Sequence, residues 1–337
     1  MHISRSSKHN SLGGHSLFKG RLLLILLSLA WQQCCLAAQP YPQRPIRMIV
    51  GLPVGGSTDL LGRLLAAKLG ERLGQQVVFE NRPGASGIIG TDIVAKSQPD
   101  GYTLLMAAGS FGVLTSLYPQ LPFDTGRDFA PVALFASSPY VLAVHPALPV
   151  KTMTELIEFA KARPGQINLA ASTPGSVQRL SGELLKRQAG IDMLYVPYKG
   201  TGALIPDLLG GRLQAAIDNV LVLAPHIKSG ALRGLAVTSA RRSAVVPELP
   251  TIAESGLPGF QASGWFGVLA AAATPVAIID RLNQTIAAIM QQPDVRSRLL
   301  AQGAEPLSGP PSELRNLLTR EKEVWSRVIR EAGVKPD

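Results

Sequence analysis

The sequence predicts an α/β fold in two lobes with a ligand cleft between them. Short branched apolar runs alternate with amphipathic stretches, a pattern typical of strands and helices around a largely parallel sheet. The chain has 337 residues, and 299 remain after an N-terminal leader of 38 residues is removed. Because a single core tends to split beyond roughly 250 residues, that length favours two lobes. Glycine-rich loops between predicted strands and helices supply a third observation, since ligands collect beyond the carboxyl ends of strands.

The first 38 residues predict a cleaved export signal. A basic segment without acidic residues precedes an apolar run, Leu22 to Ala30, and the small residues Leu36-Ala37-Ala38 form a typical cleavage site. The apolar run is shorter than the roughly 20 residues that span a bilayer, which favours cleavage near Ala38 over an uncleaved anchor. Both cysteines, Cys34 and Cys35, lie in this leader, so the mature chain is predicted to contain no disulfide and no thiolate metal site.

Composition narrows the classes of function. The mature chain keeps 29 basic and 23 acidic residues, a net charge of +6, with hydrophobic residues at 46% of the whole sequence. That hydrophobic content excludes disorder and a coiled coil. The tight basic pairs Lys186-Arg187 and Arg241-Arg242 stand alone, without interleaved aromatics, so we expect no nucleic-acid partner. With only His145 and His226 left in the mature chain, we expect no metal and no cofactor.

The apolar periodicity predicts the elements in order along the chain. Predicted strands are Ile46–Leu52, Gln76–Glu80, Thr103–Ala107, Val132–Leu134, Tyr140–His145, Ile167–Ala171, Met193–Pro197, Ala215–Asp218, Gly234–Thr238 and Trp265–Ala270. Predicted helices are Asp59–Leu73, Gly87–Ala95, Met153–Ala162, Val177–Gln188, Ala203–Leu209, Ala224–Ser229, Ala277–Met290, Asp294–Ala301 and Pro311–Ala332. Glycines follow three of these helices at the position of a left-handed cap: Gly74, Gly190 and Gly210-Gly211.

The order of these elements predicts an inserted second lobe. The chain is predicted to pass from the first lobe into the second near residue 141 and to return after residue 260. Two segments would therefore connect the lobes and form the hinge. We therefore predict lobe 1 over residues 39–141 and 261–337, and lobe 2 over residues 142–260. A cleft between two lobes is a preferred site for a small ligand.

The loop after the first strand is the strongest candidate site. Glycines expose backbone N–H groups, and the following helix points the positive end of its dipole at the same place, so a small anion can bind without a charged side chain. Ser57 or Thr58 acting only as a helix cap is the alternative. Asp59 suits the helix dipole and can hold a water or a ligand ammonium. The candidate residues are Val54, Gly55, Gly56, Ser57, Thr58 and Asp59.

A second loop has the same character. Ser172, Gly175 and Ser176 lie between a predicted strand and a predicted helix, in what would be the other lobe. The two helix N-termini would then face each other, each binding one end of an elongated anion such as a dicarboxylate. The alternative is a Ser176 cap on a surface turn.

Three further positions follow predicted strands. Tyr198 is interpreted either as closing over a ligand or as a core tyrosine with a satisfied hydroxyl. Asp218 either accepts a hydrogen bond from a ligand or forms a turn. Gly109 and Ser110 add a possible pair of donors.

An enzyme is the competing class of function. Ala108-Gly109-Ser110-Phe111-Gly112 approaches the G-x-S-x-G turn of a hydrolase but lacks its first glycine. A secreted serine hydrolase would use Ser110 with His226 and with Asp207 or Asp218. Because no oxyanion loop precedes this segment, we predict a protein that is not an enzyme and has no catalytic residue.

Eight strings in order resemble the tripartite tricarboxylate transporter substrate-binding proteins, often called the Bug receptor family. The resemblance covers essentially residues 41–337 and is specific because the strings occur together. They are Tyr41-Pro42-Gln43-Arg44-Pro45-Ile46, Gly55-Gly56-x-Thr58-Asp59, Glu80-Asn81-Arg82-Pro83-Gly84-Ala85-x-Gly87, Pro99-Asp100-Gly101-Tyr102-Thr103-Leu104-Leu105, Val196-Pro197-Tyr198-Lys199-Gly200, Asp207-Leu208-Leu209-Gly210-Gly211, Leu235-Ala236-Val237-Thr238-Ser239 and Pro250-Thr251-Ile252-Ala253-Glu254-Ser255-Gly256-Leu257-Pro258-Gly259-Phe260.

This resemblance implies a periplasmic binding protein of the two-lobed type II, Venus-flytrap fold. Such a receptor closes over a small carboxylate, a di- or tricarboxylate or a related organic acid, and presents it to a membrane transporter of one small and one large subunit. An orphan sensor without a transporter is the alternative, and we expect a monomer. By resemblance, one ligand carboxylate is held by Val54, Gly55, Gly56, Thr58, Asp59, Ser172, Gly175 and Ser176, and Asp218 helps to select the ligand.

Several residues depart from the family pattern near the expected pocket. They are Ser57, Phe111, Leu114-Thr115, Thr173 and Arg179. These departures predict an altered range of ligands.

Overall fold

The computed structural model describes residues 1–2, 41–173 and 175–335. The described residues divide into two units between Gln43 and Arg44, and every element below belongs to the second. Apart from Met1 and His2, the predicted leader of residues 1–38 lies outside the described residues. None of the described helices combines the length and the apolar character that crossing a bilayer requires.

Ten strands and ten helices are described in this second unit. The strands are β1 (Ile46–Val50), β2 (Val77–Asn81), β3 (Thr103–Ala108), β4 (Phe129–Val144), β5 (Asn168–Ala171), β6 (Leu194–Pro197), β7 (Ala215–Asn219), β8 (Arg233–Val237), β9 (Ser263–Ala271) and β10 (Glu305–Pro306). The helices are α1 (Ser57–Leu73), α2 (Ile88–Ala95), α3 (Gly109–Leu117), α4 (Met153–Ala162), α5 (Val177–Ala189), α6 (Thr201–Leu209), α7 (Val220–Lys228), α8 (Val276–Met290), α9 (Pro293–Ala301) and α10 (Pro311–Ala332).

The strands form a mixed sheet in the order β2-β1-β3-β9-β4-β7-β5-β6, with β8 and β10 pairing β4. Strands β1, β2 and β3 pair in parallel, and so do β5, β6 and β7. Every pairing of β4 or β9 is antiparallel. The prediction of a largely parallel sheet is therefore wrong for the centre, because three antiparallel pairings, β3 with β9, β9 with β4 and β4 with β7, join two parallel groups that run in opposite directions.

Strand β4 is a single element where the sequence predicts two. Its first part, Phe129 to Pro139, pairs with β9, and its last part, Tyr140 to Val144, pairs with β7 and β8. Pro139 has no backbone N–H, and it lies where the strand exchanges partners. The gap between the two predicted strands is thus continuous strand, in which the partner changes. The predicted lobe boundaries at 141/142 and 260/261 stay predictions.

The strands of the second parallel group are covered on both faces. In β7, Ile217 packs with the helices α4 and α5 in one buried cluster, whereas its neighbour Ala216 packs with α6 and α7 in another. Successive side chains of a strand point to opposite faces. Both faces are therefore buried, which accounts for the continuous apolar sequence of these strands.

Most predicted elements are confirmed within a few residues of their bounds, and α4 and α10 match theirs. Gly74 and Gly190 adopt the predicted left-handed cap, with φ of 69° and 62°, whereas after α6 the positive φ belongs to Gly211 rather than to Gly210. Helix α3 has no counterpart in the prediction. It starts directly after β3 without a loop, and two glycines in its nine residues weaken its helical signal.

Gly51, just after β1, lies against the backbone of the segment that starts α2. A methyl group on Gly51 would be 2.6 Å from the carbonyl oxygen of Gly87, and one on Gly90 would be 2.7 Å from the Cα atom of Gly51. These glycines allow two backbone segments to touch, which fixes the start of the first candidate loop.

Replacing Gly51 with alanine should destabilise the protein by about 3 kcal/mol, because the new methyl group overlaps backbone atoms that cannot rotate away. Chemical denaturation measures the change in the free energy of unfolding. Gly126→Ala is the matched control, since its methyl group would meet its nearest atom, a carboxylate oxygen of Asp124, at 3.4 Å. The control should change stability by no more than about 0.5 kcal/mol, and equal losses in the two variants would contradict the close approach.

Helix α10 buries a carboxylate against α3. Glu321 accepts a hydrogen bond of 2.7 Å from the indole N–H of Trp325, and a methyl group on Gly112 of α3 would lie 3.2 Å from its Cβ. Burial raises the pKa of Glu321 to about 7, although the indoles of Trp325 and Trp265 act in the opposite direction. The folded protein therefore favours the protonated form of Glu321.

The Glu321 carboxyl should make stability fall as the pH rises from about 4.5 to about 7. In that window the folded state keeps a proton that the unfolded chain has released, so its contribution is present below pH 4.5 and lost above pH 7. We expect the Glu321→Gln variant to lack this loss, which the pKa shift puts at about 3 kcal/mol. Denaturation curves at several pH values test it, with the exposed Glu323→Gln as control; parallel pH profiles for natural protein and Glu321→Gln would refute it.

Candidate functional site

A small cavity of about 30 Å³ lies where the starts of four helices meet. Helices α1, α3 and α5 each contribute first-turn or cap residues to its wall, and α7 contributes its N-cap residue. The candidate loops at residues 54–59 and 172–176 thus share one cavity. The cavity residues at these helix starts are Ser57, Thr58, Gly109, Ser110, Ser176, Gln178 and Asn219.

The four helices follow β1, β3, β5 and β7, which are the strands of the two parallel groups. Within each group the parallel strands place their carboxyl ends at one edge, so the helices that follow them begin there. The antiparallel pairings through β9 and β4 make the two groups run in opposite directions, and the cavity lies between their carboxyl ends. The first N–H groups of a helix have no partner within the helix, and its dipole puts partial positive charge at that end. No lysine or arginine lines the cavity among the described residues, so its positive potential comes from backbone dipoles.

Two buried side-chain oxygens of the wall have no hydrogen-bond partner in the described part of the chain: Thr173 Oγ1 and Asn219 Oδ1. The other end of the Asn219 amide donates 2.9 Å to Ser57 Oγ, a buried bond between residues 162 positions apart. An unpaired buried polar atom costs roughly 1–3 kcal/mol. Both atoms therefore indicate that a water or a ligand group belongs in this cavity.

The first candidate loop divides into two parts. Ser57 and Thr58 line the cavity, whereas Val54, Gly55, Gly56 and Asp59 do not. Helix α1 has Gly56 as its N-cap residue, so the alternative in which Ser57 or Thr58 caps this helix is wrong. Val54 is exposed, with 61% of its surface accessible.

Asp59 holds the first loop rather than facing the cavity. Its carboxylate accepts 3.1 Å from the Gly55 N–H, 3.0 Å from Arg63 and 3.0 Å from Asn81. Burial opposes ionisation of Asp59, but these three hydrogen bonds keep its pKa below the ordinary value. The predicted ligand donor at Gly55 is thus already bonded to Asp59.

The second candidate loop contributes Ser172, Thr173 and Ser176 to the wall. Ser176 Oγ caps α5 by accepting 3.2 Å from the Arg179 N–H, but Ser176 is buried beside the cavity rather than on a surface turn. Gly175 lies outside the lining and packs near Ser86, since a methyl group there would approach the Ser86 side chain to 3.3 Å. The loop therefore contacts the segment before α2.

Asp218 is buried behind the cavity wall. It accepts 2.6 Å from Thr201 Oγ1, 2.7 Å from the Asn219 N–H and 3.2 Å from Gln178 Nε2. Burial raises the pKa of Asp218, although these hydrogen bonds lower it. Since Asn219 and Gln178 line the cavity, Asp218 positions wall residues rather than lining the cavity itself.

Tyr198 lies outside the cavity, in a neighbouring groove. Its hydroxyl donates 2.6 Å to Asp207, and burial with this bond raises its pKa to about 12. Gly109 and Ser110, both candidates in the sequence analysis, line the cavity. They are the first two residues of α3, a helix that the sequence does not predict.

Sequence reasoning missed Gln178 and Asn219 as wall residues. Asn219 follows Asp218 at the carboxyl end of β7, and only Asp218 is a candidate there in the sequence analysis. Gln178 sits in the first turn of α5. The signal that identifies both is structural, because each lies at the carboxyl end of a strand in the second parallel group, and that end shares the cavity with the carboxyl ends of β1 and β3.

The hydrolase constellation is not assembled here. His226 is seven residues beyond Asn219 along α7, about 10 Å away at 1.5 Å per residue, and it does not line the cavity with Ser110. A search of the described ranges finds no group of three metal-ligating side chains.

Comparison with known proteins agrees with this geometry. A family model described as tripartite tricarboxylate transporter family receptor matches residues 61–334. Protein BugT of Bordetella pertussis is 42% identical over 313 residues, covering 92% of this chain and 96% of its own length.

Two solved structures share the fold along nearly their whole length. R. palustris Rpa4515 with adipate has a TM-score of 0.85 at 38% identity, covering 88% of this chain and 100% of its own. MatC from Rhodopseudomonas palustris with bound malate has a TM-score of 0.81 at 32% identity, covering 86% of this chain and 100% of its own. The predicted two-lobed α/β binding-protein fold is confirmed by these likenesses. With a family match over most of its length and relatives above 30% identity, the chain belongs to the tripartite tricarboxylate transporter receptor family.

Proposed function

We propose that this protein is a periplasmic receptor that captures a small carboxylate in the cavity formed by four helix N-termini. The observation that carries the proposal is that first-turn and cap residues of α1, α3, α5 and α7 line one buried space. Each helix end carries roughly half a positive charge, so the four together favour an anion.

The neutral wall supports a carboxylate rather than a cation. The wall residues at the helix starts carry hydroxyl and amide groups, and the partial charges of the backbone repel cations. A carboxylate presents two oxygens that accept hydrogen bonds from such donors. Adipate and malate, named in the two solved relatives, are carboxylates of this kind.

Capture requires the cavity to open and close. At about 30 Å³ it has room for about two water molecules, whereas pockets for organic ligands measure roughly 300–1,000 Å³. The buried bond between Asn219 and Ser57 joins elements of the two parallel groups in this narrow state. Ligand entry would part residues 142–260 from the rest of the chain, and binding would shift the population back towards closure.

The remaining parts of the proposal rest on the N-terminal sequence and on the resemblance to the receptor family. The receptor would be exported with its leader cleaved near Ala38, and would act as a monomer. It would deliver its solute to a membrane transporter of one small and one large subunit. It would use no catalytic residue.

Replacing Ser110 with aspartate should weaken carboxylate binding at least a hundredfold. Ser110 lines the cavity in the first turn of α3, where an acidic side chain suits the helix dipole, so the fold should persist while the added charge repels the ligand. Isothermal titration with adipate and malate measures the effect. Ser110→Asn is the matched neutral control.

The control should bind within about fivefold of the natural protein, a difference of about 1 kcal/mol. If Ser110→Asp binds both acids as tightly as Ser110→Asn does, the anion is held elsewhere and the proposal fails. The same two variants distinguish the receptor from the hydrolase alternative, because a hydrolase that uses Ser110 would lose all turnover of esters in both.

A further inference from the structure

A wide groove opens next to the cavity and shares one wall residue with it. The groove has a volume of about 750 Å³, compared with about 30 Å³ for the cavity. Thr173 is the one residue that lines both, among the described residues. It is only 6% exposed, and its hydroxyl has no partner in the described part of the chain. Thr173 therefore marks a junction from the cavity into the groove.

Carbon surface dominates the wall of this groove. Three prolines contribute ring faces without donors: Pro53, Pro83 and Pro197. Two tyrosines, Tyr118 and Tyr198, also line it. Flat rings of this kind suit an apolar or aromatic body.

Both tyrosine hydroxyls already donate within the protein. Tyr118 donates 2.8 Å to Ser86 Oγ, and Tyr198 donates 2.6 Å to Asp207. With its pKa raised to about 12, Tyr198 stays neutral at physiological pH. Because these bonds fix the hydroxyls, the rings offer mainly carbon to an occupant of the groove.

One cation reaches the groove. Lys199 is exposed at its edge, and an exposed ion pair is worth only 0–1 kcal/mol at the median. A second carboxylate placed against the prolines and tyrosines would lose more hydration than Lys199 returns. The groove thus discriminates against a charged distal end.

We propose that the groove binds the body of the solute, and that the solute is a monocarboxylate with an apolar, ring-bearing body. Its carboxylate occupies the cavity, the chain passes Thr173, and the ring lies between the prolines and tyrosines of the groove. This inference rests on the proposed function, because it assumes that the cavity binds the carboxylate. It differs from the sequence-based expectation because it names an aryl-substituted monocarboxylic acid as the solute rather than a short di- or tricarboxylate.

The first test compares acids on the full exported protein, dialysed into a buffer without carboxylates. Titration with 3-phenylpropanoate and 4-phenylbutanoate should give dissociation constants at least tenfold lower than those for malate and adipate. Burying roughly half of a phenyl ring accounts for a gain of this size. Propanoate, which has the same head without the ring, should bind at least tenfold more weakly than 3-phenylpropanoate.

The second test fills the groove without touching the cavity. Ala85 is exposed and lines the groove but not the cavity. Its backbone is left-handed, with φ of 46°, and already accommodates the Cβ of alanine, so tryptophan brings no new Cβ to this position. Ala85→Trp should weaken the phenyl acids at least tenfold and leave propanoate within twofold. Ala277→Trp, on the exposed start of α8, is the matched control and should change neither. Circular dichroism checks that both variants are folded. The comparison of acids on the natural protein tests the inference even if a variant does not fold.

Each result has a distinct meaning. If malate or adipate binds as tightly as the phenyl acids, the inference is overturned while the proposed function stands. Equal weakening of phenyl acids and propanoate by Ala85→Trp also overturns it, because the groove would then not select the body. If none of these acids binds the natural protein, the proposed function fails as well.

Discussion

The convergence of four helix N-termini on one buried space is the constraint on which the rest of this structure depends. Backbone N–H groups at a helix start need partners, and like-signed helix ends repel one another. A protein that brings four helix N-termini together must either leave room for water to bond to their N–H groups or neutralise their partial charge with an anion. The side chains of Ser57 and Asn219 bond to each other and leave the backbone N–H groups to another partner, while one oxygen each of Thr173 and Asn219 is also unpaired in the described part of the chain.

Behind this wall, two buried carboxylates fix neighbouring segments without entering the cavity: Asp218 holds wall residues, and Asp59 holds Gly55 of the loop before α1, a residue outside the wall. Asp59 secures Gly55 and Asn81, and Asp218 secures Gln178 and the Asn219 backbone. Each is compensated by several hydrogen bonds, as a buried acid must be. Negative charge thus lies one layer behind a surface that attracts anions, which explains how carboxylates occur so close to a carboxylate site.

Much of the fold was predictable from sequence because its signals are local. Periodicity gave α4 and α10 their observed bounds, and glycine chemistry gave the left-handed caps at Gly74 and Gly190. The loops at Ser57 and Ser172 were found for the same reason, since a glycine-rich turn between strand and helix is a local pattern. The residues that line the cavity were predictable from the sequence only in part.

The misses share a different origin. The direction of β4 and β9 depends on how distant segments pair, and residues 135–139 carry no local sign that one strand serves two sets of partners. Helix α3 was hidden because it begins without a loop and contains two glycines. Asn219 and Gln178 are ordinary polar residues whose importance comes from the edge of the sheet that they reach.

The C-terminal helix α10 has a mechanical consequence. It is fastened to α3 through Ser116 and Ser326, whose hydroxyls are 2.6 Å apart, and to α5 through the ion pair of Arg187 and Glu331. A rod attached to helices of both parallel groups resists sliding of one group past the other, because sliding would break both attachments. Any relative motion of the two groups must therefore stretch or break one of these attachments, so α10 limits how far the groups can move apart.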